Sequence, residues 1–215
     1  MESGTRIQDI LRSLEHQYPH ASLALNFRNP YELLIAVILS AQCTDERVNQ
    51  VTRTLFKRCP TPQALAVEPL ESLEQMVRPT GYYRNKAKAI RACAQELVQK
   101  HGGEVPRSME ALMSLAGVGR KTAAMVLGNA YGIQEGIAVD THVLRVTQRF
   151  GLVGEKTPEA AERRLMGLVP REKWTWFSNA LILHGRTICT ARKPSCRRCP
   201  LADHCDYARQ TGKGT

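Results

Sequence analysis

The stretch Leu115–Ala123 reads LAGVGRKTA. Gly117 and Gly119 stand two residues apart, and the helix-forming run KTAAMVLGNA starts at Lys121. Upstream, SMEALMSL (Ser108–Leu115) has helical spacing, so the whole reads as helix, tight turn, helix. Glycine at both turn positions permits positive φ and a close approach of the backbone. The N–H groups that open the second helix have no partner inside it and can hold a phosphate. Such a turn grips a nucleic-acid backbone without reading its sequence. It serves equally as a plain turn between two helices. Lys121 falls in the first turn of the second helix, where the partial positive charge disfavours an ammonium. A lysine held neutral there is a nucleophile. A lysine left charged beside Arg120 is a phosphate contact. The residues alone leave both roles open.

Helical patterns extend outward from this hairpin over most of the 215 residues, and period-2 strand patterns are scarce. Ile7, Ile10, Leu11 and Leu14 line one face of a first helix. PYELLIAVILSAQ starts with Pro30, a favourable first helical residue, and is apolar nearly all round, as a central buried helix is. DERVNQVTRTLFKRC is amphipathic through Val48, Val51, Thr52 and Leu55. Two short helices broken by Pro69 and Pro79 follow, then a long basic helix closed by Gly102 and Gly103. DTHVLRVTQRFG, TPEAAERRLMGLVP and KWTWFSNALILHGRTIC complete an all-α chain. With 43% hydrophobic residues it can bury a sizeable core, and disorder is excluded.

A formal net charge of +10 points to a polyanionic partner, nucleic acid before a membrane surface. The longest apolar run, Leu33–Ala41, is too short to span a bilayer. The polar N-terminal stretch has no apolar targeting core, which predicts a cytoplasmic protein, where disulfides are rare. The seven cysteines then need another account. Cys43, Cys59 and Cys93 are expected to be buried thiols. Cys189, Cys196, Cys199 and Cys205 have the spacing C-x6-C-x2-C-x5-C and predict a metal site. The spacing admits zinc or an iron–sulfur cluster. Arg192, Lys193, Arg197 and Arg198 lie between these ligands and are expected to meet phosphates.

Asp140 stands between GIAV and the helix THVLRV, as an N-cap does. A capping carboxylate is fixed at a helix end, so capping and chemistry are compatible. His142, just after the cap, reads as structural.

LAGVGRKTA followed by IAVDTHVLRV resembles the helix-hairpin-helix DNA glycosylase superfamily. NPYELLIAVILSAQCTDERVN (Asn29–Asn49) and LILHGRTIC (Leu181–Cys189) resemble it too. In order and length the chain is similar to the endonuclease III family within it. Ala116 departs from that pattern, which usually has Pro there. The resemblance implies two helical domains. One is a helical barrel over 28–133 containing the hairpin; the other joins 1–27 to 134–215 and carries the cluster loop. It implies a bifunctional DNA glycosylase and abasic-site lyase of base excision repair, acting as a monomer on damaged double-stranded DNA in the nucleoid and removing oxidised pyrimidines. Lys121 is the implied nucleophile and Asp140 its carboxylate partner, in a cleft between the domains. Cys189, Cys196, Cys199 and Cys205 are the implied ligands of a [4Fe–4S] cluster. Gly117, Gly119 and Arg120 would hold the DNA backbone, Gln42 would fill the gap left by a flipped base, and Tyr82 would wedge the opposite strand. The pattern usually has Leu at that last position, which puts the opposite-base preference in doubt. Two other functions would leave the same broad features: a monofunctional glycosylase, which lacks the lysine, and a non-catalytic DNA-binding module with a zinc-stapled end.

Overall fold

The computed structural model describes residues 2–212, and the side chains of residues 6–212. No strand occurs among the described residues, which form twelve α-helices and four short 3₁₀ turns. The α-helices are α1 (Glu2–Gln17), α2 (Pro30–Leu39), α3 (Asp45–Arg58), α4 (Pro62–Val67), α5 (Leu70–Val77), α6 (Tyr83–His101), α7 (Met109–Met113), α8 (Arg120–Tyr131), α9 (Thr141–Phe150), α10 (Pro158–Met166), α11 (Trp174–Thr187) and α12 (Asp206–Thr211). None of them is long and apolar enough to cross a membrane. The chain divides into two compact units, Leu23–Glu135 and the pair of segments Met1–Ser22 and Gly136–Thr215.

In the unit Leu23–Glu135, α2 is the central element. Tyr31 to Leu39 are all buried, and α3, α6 and α8 pack around the helix. An apolar surface on every side is stable only when every side is covered. The one carboxylate in it, Glu32, is compensated: Arg28 donates to it through its backbone N–H and its guanidinium. α4 and α5 lie along α6. The hairpin is tied down at both ends by carboxylates. The Ala116 N–H donates to Glu96 of α6 at 2.7 Å, and the Met109 N–H donates to Glu135 at 3.1 Å. Leu112, Leu115 and Val118 anchor the turn in the core.

In the other unit, α1 packs its Ile7, Ile10, Leu11 and Leu14 face into a core shared with α9, α10 and α11. Arg6 reaches the C-terminal segment, donating to the His204 carbonyl at 3.0 Å and pairing with Asp206 at 2.7 Å. The Trp176 indole donates to the Tyr18 carbonyl, and the Ser178 hydroxyl donates to the Ala138 carbonyl.

Two local expectations change, while the break at Pro79 holds. The helix before the glycine turn is a single turn, because Ser108 and Ser114 cap it and the chain then winds through Leu115 N–H to Leu112 O and Val118 N–H to Leu115 O. Pro79 sits inside the 3₁₀ turn Arg78–Thr80, where its fixed φ is tolerated near a helix start. Cys59 and Cys93 are buried, but Cys43 is only half-buried, since the chain leaves α2 for the surface there.

Candidate functional site

The hairpin turn takes the shape its glycines permit. Gly117 has φ +77°, and a Cβ there would lie 3.1 Å from the Ala89 Cβ, so backbone freedom and space both call for glycine. Gly119 caps α8 and, having no side chain, makes no side-chain capping bond to the helix's opening N–H groups. Gly117 and Gly119 are exposed, while Val118 between them is buried. Lys121, the second residue of α8, is exposed. It stands at the helix end beside Arg120, in solvent and not in a buried pocket. Arg120 is half-buried and reaches the Glu135 carbonyl at 3.5 Å.

Asp140 caps α9 after the buried run Gly136–Val139. A single carboxylate oxygen, Oδ1, accepts from both His142 and Val143 N–H at 2.8 Å. His142 is structural: its Nδ1 meets Arg145 at 3.2 Å, and Arg145 donates on to the carbonyls of Gly185 and Cys189.

Cys189, Cys196, Cys199 and Cys205 line one small cavity, together with Phe150, His184 and Tyr207. Burial, reinforced by the other three thiols, pushes the Cys199 thiol up to about 11, and burial, reinforced by Cys189 and Cys196, raises Cys205. Four crowded thiols, three of them buried and Cys199 half-buried, become thiolates only with cationic compensation, which iron supplies. Nitrogen groups already approach two of the sulfurs. Arg149 donates to Cys189 Sγ at 3.2 Å, and His184 Nε2 lies 3.6 Å from Cys199 Sγ. Among the described residues no three His, Cys, Asp or Glu side chains are set to hold a single metal ion. Four cysteine thiols around one cavity are the donor set that an iron–sulfur cluster takes. Arg192, Lys193, Arg197 and Arg198 are all exposed on this loop.

Gln42 and Tyr82 share a property that no other non-glycine residue has among those described: positive φ, at +52° and +47°. For side chains of this size the conformation is strained and is held by its surroundings. Tyr82 follows Gly81, opens α6 without a side-chain cap, and is 68% exposed. Gln42, in the turn between α2 and α3, is exposed as well.

Residues 35–171 match the HhH-GPD superfamily of base excision DNA repair proteins. Residues 189–205 match the iron–sulfur binding domain of endonuclease III. Endonuclease III of Synechocystis sp. is 48% identical over 204 residues, which are 95% of this chain and 93% of the relative. The chain belongs to the endonuclease III family. As a member carrying the family's iron–sulfur domain, it holds a [4Fe–4S] cluster, and the four-thiol cavity fits that group. Two solved endonuclease III structures superpose on it with a TM-score of 0.93 at 43% identity, covering 99% of this chain and all of theirs. One is a non-covalent complex with DNA; the other is a trapped covalent intermediate with DNA.

The hairpin, Gln42 and Tyr82 thus belong to one unit, and Asp140 and the cysteine loop to the other. Sequence patterns missed Arg149 and His184 as partners of the sulfurs, and Lys86, which is buried although it lies on a basic helix. The LILHGRTIC stretch carried a signal for His184: a histidine in an apolar run five residues before the first cysteine.

Proposed function

We propose that this chain is a bifunctional DNA glycosylase and abasic-site lyase, working as a monomer on nucleoid DNA in the cytoplasm and removing oxidised pyrimidines from damaged double-stranded DNA. The observation that carries this reading is the placement of Lys121. It is an exposed amine in the first turn of a helix whose glycine cap leaves backbone donors for a phosphate. The covalent DNA adduct trapped on an endonuclease III relative requires a nucleophile, and Lys121 is suited to the part.

In this mechanism Gly117, Gly119 and Arg120 hold the DNA backbone while the damaged nucleotide leaves the stack. Gln42 fills the gap, and Tyr82 is pressed against the opposite strand. The neutral Lys121 amine attacks C1′ and the base departs with the bonding electrons. The amine loses its proton, the sugar ring opens and a Schiff base forms. Loss of the C2′ proton then expels the 3′ phosphate by β-elimination. The Asp140 carboxylate stabilises the positive charge on the sugar, with its second oxygen free of capping duty. Cys189, Cys196, Cys199 and Cys205 hold the [4Fe–4S] cluster, which supplies a covalent cross-link of the loop. That loop presents Arg192, Lys193, Arg197 and Arg198 to phosphates.

A duplex carrying one oxidised pyrimidine tests the reading. Free base and a strand cut 3′ to the lesion should appear together. Base release that leaves an intact abasic strand would make the protein monofunctional, and neither product would leave only a binding module.

A further inference from the structure

Lys86 is 6% exposed, buried beneath the turn that presents Tyr82. Its ammonium donates to the Thr80 carbonyl at 2.7 Å, while its backbone N–H makes the first bond of α6, to the Tyr82 carbonyl at 3.1 Å, as any residue there would. The two carbonyls flank Gly81, which has φ +69°, and the second belongs to the strained Tyr82. Thr80 is itself fixed, 2% exposed and donating from its hydroxyl to the Val77 carbonyl at 2.8 Å. On the other side, Cys43 lies within electrostatic reach of the Lys86 ammonium, and Cys43 is the neighbour of Gln42. The buried cation therefore stands under the left-handed Tyr82. Burying it is costly, and burial pushes its ammonium below the usual lysine range. A strained side chain persists only where its surroundings over-determine it.

We propose that Lys86 is a positioning residue for strand invasion: it clasps the Thr80–Tyr82 turn so that Tyr82 is held ready against the base opposite the lesion. This rests on Tyr82 being the wedge proposed above. A methylene stem at position 86 would fill the same space without tying the Thr80 carbonyl. The turn would then relax, and the aromatic ring would be presented only part of the time.

A double-mutant cycle tests this. The probe is a duplex with a tetrahydrofuran abasic analogue opposite 2-aminopurine, whose fluorescence rises when it is unstacked. Tyr82→Ala should abolish most of the rise and weaken binding about tenfold, the scale of removing one ring stacked on a base. Lys86→Met should do nearly the same, and Lys86→Gln, which keeps a donor, should recover part of the loss. In the Tyr82→Ala background Lys86→Met should cost nothing further. A silent Tyr82→Ala would remove the wedge, and the inference with it. An active Tyr82→Ala with strictly additive effects of Lys86→Met would leave the wedge standing and overturn the role of Lys86. Failure of both Lys86 variants to fold would overturn it too, making the lysine a core residue only.

Discussion

Asp140 caps α9 through one oxygen: Oδ1 accepts the Val143 N–H at 2.8 Å and the His142 N–H at the same distance. Capping therefore occupies one oxygen of the carboxylate and leaves the other for the chemistry proposed for it. Asn caps a helix about as well as Asp. Asp140→Asn should keep thermal stability within about 1 kcal/mol of the parent while base excision falls by about a hundredfold or more. Calorimetry and single-turnover kinetics on the same preparation check this; a large loss of stability with excision intact would reduce Asp140 to a cap.

Gly117→Ala should destabilise the protein by about 1–2 kcal/mol, because alanine is strained at positive φ and the new methyl would crowd Ala89. Duplex affinity should drop with it, since the opening N–H groups of α8 would be re-aimed. Denaturant unfolding and a binding titration read the two effects. Alanine tolerated in both would show that the turn neither requires glycine nor meets DNA.

Tyr82→Gly should raise stability by about 1 kcal/mol by releasing a left-handed tyrosine, and should lose activity in exchange. Tyr82→Leu keeps the strain and changes the chemistry of the tip. It should alter discrimination between opposite bases while abasic-site cleavage continues. Identical opposite-base profiles for the parent and Tyr82→Leu would make the ring a mere surface group.

These residues mark where the sequence was and was not legible. The start of α9 was readable because a short polar side chain, Asp140, satisfies local N–H groups; Asn29, Thr44, Ser108 and Thr157 cap their helices in the same way in the structure. The all-α class followed from apolar periodicity, and the metal loop from four closely spaced cysteines. Positive φ at Gln42 and Tyr82 was not readable, since tertiary packing imposes it on residue types that do not favour it. Burial of Lys86 was hidden for a related reason. A lysine in a basic amphipathic helix has the pattern of a solvated face, and only the turn folded over it makes the difference. Arg149 and His184 lie far from most of the cysteines in sequence and meet their sulfurs only through the packing of α9 and α11 against the loop.

Neutralising Arg192, Lys193, Arg197 and Arg198 should weaken binding about equally on all duplex sequences. Every cation removed from a phosphate should flatten the log–log salt dependence by about 0.9. Affinity measured across a salt series for the single and quadruple variants decides it. A slope unchanged by all four substitutions would remove this loop from the DNA interface.

The central claim is that Lys121 forms a covalent bond with the sugar of the damaged nucleotide. Borohydride added during turnover should reduce the Schiff base and leave the protein joined to a lesion-bearing duplex, seen as a shifted band on a denaturing gel. Lys121→Gln keeps most of the length and polarity but has no nucleophilic amine. It should bind the same duplex and give no shifted band. Trapping by Lys121→Gln at the level of the parent protein would contradict the account and return Lys121 to the role of a phosphate contact.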